Sequence, residues 1–141
     1  MATLGNTFGK TAKKYGGSKN VWHEVTSTYP VGGKITNLSE FKGKVIPAGS
    51  MCQYDEAKAE IKIILAKDVK TQSNSEASVE PKTIKGLLHY DVDVDADMTN
   101  EYATGNVVYE GVIYADRTAE AIPAEVFAVL PNIIPFHEKT E

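Results

Sequence analysis

The chain has 141 residues, 42% of them hydrophobic, a formal net charge of −4 and one cysteine. That length suits one domain with a core of real size, and the lone Cys52 excludes an internal disulfide framework and cysteine-type metal sites. No stretch approaches the roughly 18 unbroken apolar residues of a membrane span, and residues 1–10 lack the apolar run of a secretory signal. The expectation is a soluble protein of a reducing compartment.

Charge divides the sequence. Residues 1–23 carry Lys10, Lys13, Lys14 and Lys19 and no acid, a local charge of +4 that leaves −8 on the remainder. The same segment is rich in glycine (Gly5, Gly9, Gly16, Gly17) and poor in apolar residues, so it cannot offset its own ordering entropy. Residues 1–22 therefore read as a flexible basic arm ahead of one β-rich domain over 23–141. An arm of this kind gains order by lying along an acidic partner. Nucleic acid is disfavoured, because four lysines without an arginine make a weak footprint and the acidic body repels phosphate.

From residue 21 to 40, β-prone pieces are broken by Pro30 and Gly32-Gly33, which predicts one short strand. Val45-Ile46 leads into Pro47-Ala48-Gly49, with proline and glycine placed for a type I turn. Met51-Cys52-Gln53-Tyr54 leaves that turn, and Asp55-Glu56-Ala57-Lys58 reverses the chain. Ile61, Ile63 and Leu65 then share one face with Lys62 opposite, the pattern of a half-buried strand. Residues 71–78 have no apolar periodicity and read as an exposed loop. Strand character returns at Ile84-Lys85-Gly86-Leu87-Leu88-His89-Tyr90 and continues as a strict alternation from Asp91 to Met98.

The segment from Gly105 to Asp116 is the strongest strand. Alternation sends Val107, Tyr109 and Ile113 one way and Val108, Val112 and Tyr114 the other, so both faces are greasy. Such a strand is sandwiched, within its own domain or against another subunit. One helix is predicted from Pro123 to Leu130, with proline at its first position, Glu125 in its first turn and Pro131 closing it. It is short and apolar enough to plug one end of a barrel or sheet, and residues 132–136 form a last extended segment. Short strands, one helix and no βαβ rhythm predict a mainly antiparallel β domain.

Candidate chemistry is sparse. Asp91, Asp93, Asp95 and Asp97 fall on one side of a strand, but an EF-hand loop from Asp91 needs glycine where Ala96 stands and glutamate where Tyr102 stands. Carboxylates on a strand also diverge in ~7 Å steps, so the row reads as a solvated face and an edge defence. His23, His89 and His137 lack metal-ligand spacing. Nothing beside Cys52 marks a low-pKa nucleophile, and no GxSxG, GxxxxGK[ST] or GxGxxG occurs. The sequence thus predicts no catalytic residues, no metal, no cofactor and no enzyme.

Gly43-Lys44-Val45-Ile46-Pro47-Ala48-Gly49-Ser50, Ile84-Lys85-Gly86-Leu87-Leu88-His89-Tyr90, residues 104–116 and Pro123-Ala124-Glu125-Val126 together resemble the head decoration (auxiliary capsid) proteins of tailed bacteriophages and prophages. Head-fibre proteins share a similar opening with the Ile46-Pro47-Ala48-Gly49 turn. The resemblance covers residues 41–136 and implies a small antiparallel β-barrel of β-tulip type with one short C-terminal helix. It further implies a homotrimer on the outer surface of the head shell, with the major capsid protein as partner and neither nucleic acid nor membrane involved. Gly86, Gly105 and Gly111 match framework positions. The protein would reside on the virion, after synthesis in the host cytoplasm, and stabilise the capsid. On this view Lys10, Lys13, Lys14, Tyr15 and Lys19 contact the capsid, while Val107, Val108, Tyr109, Val112 and Tyr114 form the oligomer interface. The alternative is a surface-displayed carbohydrate-binding or adhesive head-fibre module, with Trp22, Tyr90, Tyr102, Tyr109 and Tyr114 as sugar-stacking faces.

Overall fold

A computed structural model describes residues 20–94 and 103–138; residues 1–19 of the arm assigned to 1–22, and Asp95, Asp97 and Tyr102, lie outside them. Val21 and Trp22 belong to the body, since Trp22 opens the first strand and both pack on the core. The elements in chain order are β1 (Trp22–Thr28), β2 (Gly33–Ile35), β3 (Val45–Ile46), β4 (Met51–Asp55), β5 (Glu60–Ile64), β6 (Gly86–Leu88), β7 (Val92–Asp93), β8 (Thr104–Gly105), β9 (Val107–Tyr114), α1 (Ala124–Val129) and β10 (Ile133–Phe136). The main sheet runs β1-β9-β6-β4-β5-β2-β8, and β10 joins it on β9. β3 and β7 pair separately as a small antiparallel ribbon.

The mainly β class and the C-terminal helix hold, but the closed antiparallel barrel does not. The sheet is a curled half-barrel of mixed sense whose path ends at β1 and β8. Two pairs are parallel, β2 with β5 and β10 with β9. In the first the chain crosses a face of the sheet through a 3-10 turn at Leu38–Phe41 and β3 to enter β4, whose hairpin delivers β5; in the second it passes through α1 directly to β10. The second is a true crossover, which brings the next strand in with the same direction.

The sheet is buried on both faces. Adjacent residues on its central strands go to opposite clusters: Cys52, Ile63 and Leu88 to one, Met51, Ile64 and Leu87 to the other. Leu38, Phe41, Ile46 and Val94 cover the first face; Val69, Ile84, Val126 and Leu130 cover the second. The expected half-burial of β5 is therefore incomplete, since Ile64 is buried on the same side as Lys62.

Local chemistry departs from expectation at several points. Two strands occupy residues 21–40, because Gly32-Gly33 redirects the chain straight into β2. The turn after β3 is shifted by one residue: Ser50 N–H donates to Pro47 O at 3.2 Å, and Gly49, third in the turn, has φ +88°. A left-handed third residue belongs to type II. Pro123 sits at the helix N-cap. The loop over residues 71–78 is pinned at its base, where Val69, fully buried, bridges Val79, and Thr71 and Asn74 exchange backbone hydrogen bonds.

Asn37 is the one buried polar side chain among the described residues. Its Nδ2 donates to Ile63 O at 2.8 Å and its Oδ1 accepts from Ile63 N–H at 3.1 Å, continuing the ladder where β2 has ended. Replacing Asn37 by leucine strips both partners from a buried peptide group. We expect a loss of about 2 kcal/mol, read as a lower urea midpoint with unchanged slope.

Candidate interaction surfaces

Irregular pairing along β9 decides which side chains look outward. Trp22 is registered with Ile113 and Glu24 with Val112, so His23 and Glu24 together oppose one residue. Farther along, Ser27 faces Glu110 and Thr28 faces Val108, which makes Tyr109 the extra residue of β9. Each extra residue is a bulge that resets the in–out phase of its strand. Simple alternation placed Val107 and Ile113 on one side, yet Val107 lies in the first cluster and Ile113 in the second.

Beyond the bulge, Val112 and Tyr114 share a face and are registered with Ile134 and Phe136 of β10. Parallel partners in register present their side chains to the same side. Ile134 is 57% and Phe136 51% exposed. The Tyr114 and Phe136 rings meet edge-to-face at 5.9 Å, and His23 meets Tyr114 in the same manner at 5.5 Å, with its Nδ1 2.9 Å from the phenol oxygen. The Arg117 guanidinium lies 3.8 Å above the Tyr114 ring. Arg117 also donates to both Glu138 carboxylate oxygens, at 3.2 and 2.9 Å, and to Asn20 O at 3.0 Å. The Glu138 hydrogen bond raises the Arg117 pKa still further. Asp116 holds the Glu138 N–H at 2.8 Å and His137 Nδ1 at 3.1 Å, so the chain leaving Phe136 is stapled down.

Of the residues assigned from sequence to an oligomer interface, Val112 and Tyr114 belong to this face. Val107 and Val108 are fully buried inside the protomer. Tyr109 packs at 4.8 Å against Tyr29, which stacks on Tyr54 at 4.6 Å. Burial first, then Glu56 and the two tyrosines, raises the Tyr29 pKa. Sequence reasoning missed Ile134 and Phe136. Their alternation with buried Ile133 was readable, but their parallel register against β9 was not.

A second surface feature is a groove of about 660 Å³ at the start of β1, lined by residues 20–25 together with Ala48, His89, Tyr90 and Asp91. Tyr90 is 62% exposed, its ring stacked on His89 at 3.8 Å. Trp22 reaches inward, donating its indole N–H to Leu88 O at 3.0 Å.

The aspartate row divides. Asp91 precedes β7 and its Oδ1 accepts the Ala48 N–H at 2.7 Å, tying the Pro47 turn to the next strand. Asp93 lies in β7 opposite Val45. Among the described residues no three His, Cys, Asp or Glu side chains converge as a cation site. Cys52 is fully buried, and burial drives its thiol pKa far up. Lys10, Lys13, Lys14, Tyr15 and Lys19 lie outside the described residues. No family model, curated protein or solved structure matches the chain.

Partial burial holds the His89 pKa below its ordinary 6.5. Unfolding raises that affinity for protons, so the contribution of His89 to stability is complete above about pH 6.5 and declines as pH falls toward the folded-state pKa. The imidazole Cε1–H resonance of His89 should titrate below 6.5 in the native protein, and His89→Gln should flatten the dependence of stability on pH in that window.

Proposed function

We propose that the protein is a decoration protein of a tailed-phage head, a homotrimer fastened to the outer surface of the shell through the major capsid protein. The observation that carries the reading is the Val112, Tyr114, Ile134 and Phe136 face. It is an apolar, aromatic surface on a sheet whose centre is otherwise covered from within the protomer. Exposed patches of that kind mark association surfaces, and aromatic residues are enriched at them.

The sequence resemblance supports the rest of the reading. A Cβ at Gly86 would collide with Val108 O and one at Gly111 with Glu24 O, while one at Gly105 would sit 2.9 Å from Leu88 Cδ1. Lack of a side chain is thus needed where Gly86 and Gly111 meet neighbouring backbone, which supports the framework role that the resemblance implies for them. The shared turn segment forms the entry to β4 and is anchored twice, by Asp91 accepting the Ala48 N–H and by Gly49 N–H donating to Leu88 O at 2.8 Å.

The mechanism is a clamp. Each protomer contributes a lysine-bearing arm, with Lys10, Lys13, Lys14, Tyr15 and Lys19 as its contacts, and ordering the arm costs conformational entropy on docking. Joining three arms in one trimer raises the effective concentration of the second and third. Area is then buried across seams that internal DNA pressure pulls apart. On this reading the protein is structural, acts on the virion and performs no chemistry.

Light scattering should give three times the 15.3 kDa protomer mass, and Ile134→Ser with Phe136→Ser should yield folded monomers. Removal of residues 1–20 should leave a folded trimer that no longer co-sediments with heads built from the capsid protein of the same genome. A monomeric full chain, or full head binding by the truncated protein, refutes the proposal.

A further inference from the structure

The groove along β1 is a site of its own. β1 ends the strand order and hydrogen-bonds only β9, so its other edge meets no strand among the described residues. Six consecutive residues at the start of β1, 20–25, line the groove and make one wall of it. At about 3.3 Å per residue the wall is roughly 20 Å long, room for one added strand of ordinary length. An unpaired edge beside a cleft is the geometry of strand addition, in which main-chain hydrogen bonds give affinity and flanking pockets give selectivity.

The flanking wall selects for positive charge. Glu24 and Asp91 are among the lining residues, and no lysine or arginine is. Tyr90 presents an exposed ring backed by the His89 imidazole. An aromatic face next to carboxylates suits a lysine or arginine side chain, held by cation–π attraction and by charge. From this combination we infer that the groove takes an extended, lysine- or arginine-bearing segment of the head-shell subunit as an extra strand on β1.

The choice of occupant rests on the decoration reading. The groove begins at Asn20, where the arm joins the body, so an arm lying on the shell brings this end of the body against it. The groove presents Glu24 and Asp91 there and so calls for a basic segment of the shell, next to the acidic surface on which the lysine-bearing arm lies.

The test uses the full-length chain. Short synthetic peptides tiled across the capsid protein of the same genome are titrated against isotope-labelled protein, and head binding is measured for wild type and for Tyr90→Ala combined with Glu24→Gln. Neither residue is in the core: Glu24 is exposed, as is Tyr90. The expected result is a basic shell peptide that shifts the amides of residues 20–25 and 89–91. The double variant should bind that peptide and intact heads about tenfold more weakly, the combined scale of one exposed charge contact and one exposed cation–π contact. If wild type binds heads, but no peptide moves the groove and the variant binds equally well, the inference falls and the decoration reading stands. If wild type fails to bind heads, both fall. Occupation of the groove by a peptide of residues 1–19, or by neutral oligosaccharides in place of shell peptides, also overturns the inference.

Discussion

The position of β9 is the constraint on which the remaining architecture depends. One edge of the strand is taken by β1 along its length, and the other passes from β6 to β10. A strand that changes neighbours half-way must serve two environments. Val107 and Val108 face the two covered sides of the sheet and are wholly buried. After the extra residue at Tyr109, Gly111 and Ile113 turn inward, and Val112 and Tyr114 turn out beside β10. Each apolar side chain withdrawn from water contributes about 1.5–3 kcal/mol. The first half of β9 collects that gain inside the protomer. The second half leaves part of it uncollected on the surface.

Polar contacts at the edges of the two clusters fix how the covering segments sit. The Asn37 side chain stands in for a missing strand residue beside Ile63. Asp91 and Leu88 O hold the Pro47 turn, and Leu88 O also receives the Trp22 indole N–H from β1. No buried side-chain nitrogen or oxygen among the described residues is left without a partner. Buried polar groups cost free energy unless they are paired. Pairing here falls on the connections between layers, which makes relative sliding of the layers expensive.

Much of this was legible in the sequence because periodicity is local. The strands from residue 45 to 64 and from 107 to 114, the reversal at Asp55 and the short helix near Val126 all follow from spacing and turn chemistry. What was hidden depends on partners distant in the chain. The bulge that separates Val107 from Ile113 exists only in the pairing of β9 with β1, some eighty residues earlier, so alternation alone put both residues on one side. The mixed sense of the sheet arises from crossovers whose path no residue pattern records. Of the candidate association face, Val112 and Tyr114 were visible, whereas Ile134 and Phe136 joined them only through parallel register. The β1 groove had no local signal beyond Tyr90, since a free strand edge is a property of the sheet and not of its sequence.

The exposed face is also held in shape before any partner arrives. Phe136 is in register with Tyr114, Tyr114 is capped by Arg117, and Arg117 is bound to Glu138, just beyond the end of β10. Asp116 closes the loop by holding the Glu138 N–H. Side chains fixed in this way lose little further freedom on association, and the cost of ordering rotamers is one of the main terms opposing it. The surface ion pair adds little stability by itself, because exposed pairs are worth ~1 kcal/mol or less. Its consequence is geometric: it keeps an aromatic edge in one conformation at the end of β10. A preset apolar face of this kind favours one repeated contact over non-specific adhesion. That is what the proposed trimer requires, and it would be lost if the Arg117 and Glu138 pairing were broken even with every apolar residue of the face in place.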